Sequence, residues 1–298
     1  MRCFRTGIRL DANAKHSLPQ GVIEREHVRV LTENRPATEF SRMTQRPKLL
    51  SVILSTYNMP EWLAKSLCGY TQQDFSDFEI VIADDGSDHR TADLIEGFRR
   101  NSKLRLKHVW HEDDGFKKCT ILNRAIEAAD GDYVLFSDGD CIPRRDFVQF
   151  HADSAMKGHF LSGGYYKLPM GLSQRISQPD IESGDAFSVA WLRANGLPFS
   201  HRLLRLCSGD YGAKVLNRLT TTRPTWNGHN ASGWMEDILA VNGFDERMRY
   251  GGEDREMGER LENRGIRGIQ VRVQAVCLHL DHARGYVTED HLRENKMI

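Results

Sequence analysis

Asp138-Gly139-Asp140 follows the apolar run Tyr133-Val134-Leu135-Phe136 and precedes Ile142-Pro143. Residues i and i+2 at a strand end share a face. Two carboxylates so placed can hold a hard divalent cation, and that cation can clamp a diphosphate. Alone, an Asp-Gly pair marks a turn. The strand leading in changes the balance, because buried carboxylates are costly unless a cation or basic group offsets them. A second acidic turn, Asp84-Asp85-Gly86-Ser87, closes the apolar run Phe78 to Ala83. A carboxylate there can accept a hydrogen bond from the imide N–H of a pyrimidine base; its plainer use is as a helix N-cap before Thr91. A third acidic pair, Glu253-Asp254, follows Gly251-Gly252 at the start of a helical pattern. Charge at a helix N-terminus accounts for that pair by itself. Lys117 and Lys118 are suited to a phosphate, although such lysines are more often solvated.

Positioning these groups requires strands that end at the acidic turns. Leu49 to Leu54 reads as a buried strand, Glu61 to Gln73 as a helix, and Phe78 to Ala83 as a second strand. Thr91 to Arg100 is a helix, Leu104 to Trp110 a third strand, Thr120 to Ala129 a helix and Asp132 to Ser137 a fourth strand. This alternation predicts an α/β, doubly wound, mostly parallel sheet. Ligands of such sheets sit beyond the carboxyl ends of the strands, where both acidic turns fall. Further on, Ile181 to Asn195 and His201 to Leu219 read as helical, Met235 to Val241 as a helix or turn, Glu253 to Arg264 as a helix, and Gly268 to Leu280 as one strand.

Lys+Arg and Asp+Glu both number 41, a balance that gives no support for a nucleic-acid partner. The six cysteines form no C-x-x-C pair and fall in apolar segments, as buried free thiols in a reducing compartment do. The longest apolar run, around Leu49 to Leu54, is too short to span a bilayer, and Met1 to His16 lacks the apolar core of a signal peptide. A cytoplasmic location is expected, with peripheral contact at the membrane face compatible. His201 to Leu219 mixes Arg202, Arg205, Lys214 and Arg218 with leucines; it suits a membrane surface near a lipid-linked acceptor, or packing on its own domain.

The ordered set Ser55-Thr56-Tyr57-Asn58, Asp84-Asp85-Gly86-Ser87, Asn123-x-x-Ile126 with Gly131-Asp132-Tyr133, and Asp138-Gly139-Asp140 resembles the family-2 glycosyltransferases. The later block Asn242-Gly243-Phe244-Asp245-Glu246, then Tyr250-Gly251-Gly252-Glu253-Asp254, resembles the module shared by β-1,4-galactosyltransferases and chondroitin-type synthases. The usual run there is Gly-Trp-Gly-Gly-Glu-Asp; here Arg249-Tyr250 precede the glycines.

The resemblance implies a GT-A fold, a nucleotide-diphosphate sugar donor, most simply a UDP-sugar, Mn²⁺ or Mg²⁺, and inversion. Ser55 and Tyr57 would touch the nucleotide, Asp85 the base, and Asp138 the ribose or metal. Asp140 would bind the metal, with His282, or else His279, as a further ligand. Asp254 would be the general base, since one in-line displacement needs one carboxylate near the acceptor hydroxyl and a cation on the leaving group. Trp226, Asn230 and Glu253 would face the sugars. The acceptor would be a carbohydrate or lipid-linked glycan, in polysaccharide or lipopolysaccharide synthesis.

The chain divides accordingly into a tail or arm (1–46), a nucleotide-sugar-binding half (47–150), a helical insert (151–225) and an acceptor-side catalytic module (226–298). Two other readings compete. A sugar-phosphate nucleotidyltransferase would want glycine or basic residues near the first strand, and Ser55 to Pro60 has neither. A non-catalytic sugar-nucleotide-binding protein would have little use for Asp138, Asp140 and Asp254 together. No G-x-G-x-x-G follows the first strand, against an NAD dehydrogenase.

Overall fold

The structure, a computed structural model, describes residues 45–207, 212–213, 216–217 and 222–282. The expected arm, apart from Gln45 and Arg46, lies outside the described residues.

Four β-rich runs form the strands foreseen: β1 (Leu50–Thr56), β2 (Phe78–Asp84), β3 (Leu106–Trp110) and β4 (Tyr133–Asp138). They pair in parallel in the order β3-β2-β1-β4. Between them run α1 (Pro60–Thr71), α2 (His89–Asn101) and α3 (Lys118–Ala128). Pro60 opens α1, where a missing N–H costs nothing. Asp88, not the acidic turn itself, caps α2 by accepting from the Arg90 N–H. Asp84 and Asp85 are thereby left for other work.

The chain continues through β5 (Cys141–Pro143), α4 (Phe147–Ser154), β6 (His159–Ser162), β7 (Gly164–Lys167), β8 (Ala231–Trp234), α5 (Met235–Ala240), α6 (Glu253–Asn263), β9 (Arg267–Gln270) and β10 (Val276–His279). The main sheet reads β3-β2-β1-β4-β8-β6-β9, and only β8 opposes the rest. A small second sheet, β5-β10-β7, lies beyond β4 in the chain path. One core cluster, with Leu54, Leu67 and Ile82, packs under α1 and α2; another, with Ile53, Leu122, Trp226 and Met257, packs under α3 and α6. With both faces covered, β1, β2 and β4 read as continuous apolar runs.

Four expectations are corrected. The strand foreseen over 268–280 is two strands in two sheets, β9 and β10. A tight turn separates them, with the Gln274 and Ala275 N–H groups both donating to the Val271 carbonyl. Val271, Val273 and Ala275 alternate in burial without belonging to a strand. The helix foreseen over 181–195 breaks at Gly184, whose φ of 85° ends one short helix (Gln178–Glu182) before another (Val189–Ala194) begins. The helical insert also contains β6 and β7, which join the two sheets. Of the helix foreseen over 201–219, His201–Leu203 is 3-10 and Leu204–Cys207 one α turn; residues 208–211, 214–215 and 218–219 lie outside the described residues. Cys68, Cys119, Cys141 and Cys277 are buried free thiols, as expected. Among the described residues no helix is long and apolar enough to cross a membrane.

A side-chain clamp ties the later block to α3. The Asn123 amide donates to the Phe244 carbonyl at 2.9 Å and accepts from the Phe244 N–H at 2.8 Å. Gly243 beside it has a φ of +61°, and a Cβ there would lie 2.4 Å from Asn123 Oδ1. Gly243→Ala should therefore both strain the turn and break the clamp, lowering stability by about 2 kcal/mol or more. A urea midpoint equal to that of the unaltered chain would remove the clamp from this account.

Candidate active site

The parallel register sets Ser55 opposite Asp138 on one side and Ala83 on the other, with Thr56 opposite Asp84. The carboxyl ends of β1, β2 and β4 thus form one ledge. On it, Ser55 Oγ donates to Asp138 Oδ1 at 2.6 Å, and Lys118 Nζ, at the first turn of α3, lies 3.2 Å from the same oxygen. Burial would raise the Asp138 carboxyl, but the Lys118 ammonium and Ser55 hydroxyl hold it well below the usual carboxylate range.

Asp140 is carried one step further, between β4 and β5. Its carbonyl accepts from the Leu280 N–H at 2.9 Å, which draws in the end of β10. His282 Nε2 then lies 3.0 Å and His279 Nε2 3.8 Å from Asp140 Oδ2. One ligand-type atom each from Asp138, Asp140, Cys141 and His279 falls within 4.8 Å of all the others. His279 Nδ1 lies 2.9 Å from the Leu280 carbonyl, so it carries the hydrogen and leaves Nε2 free to ligate. Two carboxylates and an oriented imidazole fit a divalent cation such as Mn²⁺ or Mg²⁺.

At the second turn the two aspartates part company. Asp84 is fully buried, 2.9 Å from His108 Nε2 and accepting from the Ser87 N–H at 2.8 Å, so it builds the turn. Asp85 accepts from the Lys117 N–H at 3.1 Å and faces His111 Nε2 at 2.8 Å. Burial raises its carboxyl, with the His111 contact opposing. Tyr57, 42% exposed, donates its hydroxyl to Asp113 and walls the same end of the ledge.

Asp254 comes from the other module, in the first turn of α6. Its Oδ1 is buried without a hydrogen-bond partner. Burial pushes its pKa up to about 6; Lys118 opposes, while Glu253 and Asp138 add to the rise. Gly228 lies against it, since a Cβ there would sit 2.9 Å from both carboxylate oxygens. Lys118 feels both Asp138 and Asp254, and its pKa is raised despite the cost of burial. One ammonium therefore joins the acidic ledge to the third aspartate.

Trp226, Asn230 and Glu253, expected to face sugars, do not. Trp226 is 2% exposed, with its ring edge-on to Phe136 and Phe160, so neither face is open for stacking. Asn230 is fully buried and spends its amide on the Gly164 and Ala275 carbonyls at 2.8 and 2.9 Å. Glu253 Oε2 accepts from the Gly251 and Gly252 N–H groups at 2.8 and 2.9 Å, bracing the turn that delivers Asp254.

His229, in the run 226–230 whose Asn and His side chains suit sugar hydroxyls, and Tyr165, which no motif marks, lie beside His279. The Tyr165 ring lies 4.6 Å from that of His229 and 5.2 Å from that of His279. Burial lowers the His229 pKa to about 4, with Asp138 opposing, so its ring is neutral at pH 7. The position of His229 in the Trp226–Asn230 run was a signal; Tyr165 had none. A separate recess of about 690 Å³, lined by Tyr70, Phe75 and Phe98, opens where β2 and β3 begin, away from these groups.

The sheet order, with ledge and second sheet meeting at the acidic pair, defines an α/β fold whose strand ends carry the carboxylates, and solved structures share that fold. The mannosyltransferase PcManGT of Pyrobaculum calidifontis, solved with GDP-Man and Mn²⁺, superposes with a TM-score of 0.54 at 23% identity, covering 82% of this chain and 59% of that one. The fold is GT-A. Residues 51–182 match the family model described as glycosyl transferase family 2, and residues 220–283 that described as N-terminal domain of galactosyltransferase. Residues 51–182 thus form a family-2 glycosyltransferase segment. The chain is 30% identical over 235 residues to validoxylamine A glucosyltransferase of Streptomyces hygroscopicus subsp. jinggangensis, a span of 75% of this chain and 53% of that protein. It is 33% identical over 230 residues to chondroitin synthase of Escherichia coli, covering 72% of this chain and 32% of that protein. The chain thus matches about half the length of the first relative and a third of the second.

Proposed function

We propose that this chain is an inverting glycosyltransferase that moves a hexose or N-acetylhexosamine from a nucleotide-diphosphate sugar, UDP-linked in the first instance, to a carbohydrate acceptor in surface polysaccharide or lipopolysaccharide synthesis. The observation that carries this reading is the buried carboxylate of Asp254, whose Oδ1 has no hydrogen-bond partner although the Gly228 N–H and Lys118 favour its charge, and which Lys118 links to the ledge of Asp138 and Asp140. A buried carboxylate only partly offset costs stability, and a site that must remove a proton is where that cost has a use.

Ser55, Tyr57 and Asp85 line the place of the nucleotide, with Asp85 accepting from the base N–H. Asp138 and Asp140, with His279 or His282, would hold Mn²⁺ or Mg²⁺, which when bound supplies positive charge to the leaving diphosphate. Lys118 adds a fixed cation beside it. Asp254 takes the proton of the acceptor hydroxyl as that oxygen bonds to the anomeric carbon. The bond from that carbon to the diphosphate oxygen breaks with both electrons going to the diphosphate. One displacement inverts the carbon and needs no second carboxylate as nucleophile. The metal site of PcManGT and the polymer named for chondroitin synthase support the cofactor and the acceptor class.

Asp85→Asn tests the donor side. An amide can present its N–H to the base N–H, so affinity for UDP should fall about tenfold or more. Titration with UDP and GDP in Mn²⁺ reads this directly. Unchanged UDP affinity in the variant would take Asp85 out of base recognition, and tighter binding of GDP by the unaltered chain would replace uracil with guanine.

A further inference from the structure

A recess of about 380 Å³ opens between the turn at 272–274 and the segment beginning at His201. Its lining includes Arg202, Arg205, Arg272 and His201, and no carboxylate. Among the described residues none of the three guanidiniums forms an ion pair. Arg272 is half-buried; burial lowers its pKa, and the neighbouring Arg205 lowers it further. Like charges held together in a partly desolvated hollow are unfavourable unless an anion joins them.

The hollow is held open by its own structure. Asn217, on the far side, accepts from the Val273 N–H at 3.1 Å and donates to the Gln274 side chain at 2.8 Å, which pins the turn carrying Arg272. Arg272 also packs against Gly164, where a Cβ would lie 2.9 Å from the arginine's own Cβ. The next residue, Tyr165, interacts with Arg272 and lies edge-on to the His229 ring and tilted against that of His279. The recess therefore adjoins the cation site on its β7–β10 side. The residues placed at the nucleotide, Ser55, Tyr57 and Asp85, belong to the β1–β2 side, and none of them lines this hollow.

We infer that Arg202, Arg205 and Arg272 form an oxyanion subsite that takes a phosphate group carried by the acceptor. Guanidinium forks match phosphate oxygens in pairs, and three of them suit a dianion or diphosphate. Leu204, 55% exposed, lines the recess with the arginines and suits an apolar chain on that phosphate. That the phosphate belongs to an acceptor rests on the transferase reading; the anion site does not, and its test involves no turnover.

The test is calorimetric titration of inorganic pyrophosphate into the full chain in EDTA, so that divalent cations do not assist. Binding is expected, weakening with salt, with Kd raised about tenfold or more in Arg205→Gln/Arg272→Gln and by less in Arg205→Lys/Arg272→Lys, which keeps the charge but loses the fork. Asp140→Asn should bind as the unaltered chain does. Arg202→Gln, at an exposed position, should also weaken binding, and a melting temperature equal to that of the unaltered chain guards against misfolding. No binding by the unaltered chain, equal binding by both double variants, or loss in Asp140→Asn would overturn the subsite. Co-sedimentation with vesicles of phosphatidylcholine, with and without phosphatidylglycerol, identifies the source. Retention on the anionic vesicles that Arg205→Gln/Arg272→Gln abolishes is expected for a lipid-borne phosphate; pyrophosphate binding without retention assigns a phosphate on a soluble glycan.

Discussion

Asp254→Asn is expected to lower turnover by about 10²-fold or more while leaving donor affinity in place, because the lost step is proton removal in the transition state. Donor hydrolysis in Mn²⁺ serves as the assay, since water can stand in for the acceptor hydroxyl. The same substitution should make the protein more stable. The Asp254 pKa is raised to about 6 by burial, against an unfolded carboxylate near 4. Between those values the folded chain binds the extra proton, so the penalty is absent at low pH, grows as pH rises from about 4 and is complete above about 6. Above that, the unaltered chain carries a cost of up to about 3 kcal/mol that the amide avoids. Thermal melts should therefore converge at pH 4 and diverge at pH 8, with the variant higher. Turnover of the unaltered chain should follow the opposite limb, falling about tenfold per unit below pH 6. Equal rates for both proteins at pH 8 would remove Asp254 from the base role; equal melting temperatures there would remove the buried penalty.

Asp140→Asn should have the second large effect. This carboxylate is the one within reach of both His279 and His282. Changing a partner outside the ligand shell of a metal commonly costs 10–100-fold in affinity, so losing a ligand should weaken Mn²⁺ by about 10²-fold or more. Electron paramagnetic resonance of free Mn²⁺ measures this without turnover. Alanine at His279 and at His282 in the same titration tells which imidazole ligates. Tight Mn²⁺ binding by Asp140→Asn would place the cation elsewhere.

The nucleotide half was legible because each of its strands is a short apolar run closed by an acidic turn, and burial on both sheet faces leaves little room for other patterns. Asp138, Asp140 and Asp85 could be found for the same reason: they end strands, and a parallel sheet brings strand ends together. The other half hid its strands. β6, β7, β8 and β10 are four residues each, too short for periodicity to declare them. Val271 to Cys277 alternated well enough to suggest one strand, yet the chain turns there to change sheets.

Side-chain roles were harder still. Trp226 and Asn230 sit in the right stretch of chain but point inward, into an aromatic cluster and onto two carbonyls. Only the fold distinguishes such a residue from its neighbour His229, which faces Asp138. Lys118 had the look of a solvated lysine. It gains its place from α3, which Asn123 clamps to the turn at 243–244, and no local pattern carries that information.

The most direct measurement of the central claim uses methanol as acceptor. With Mn²⁺ and a nucleotide-sugar donor, proton NMR of the methyl glycoside reports its anomeric configuration. A single carboxylate opposite a clamped leaving group should give the configuration opposite to the donor's, and Asp254→Asn should form little of it. A methyl glycoside that keeps the donor's configuration would contradict the arrangement described.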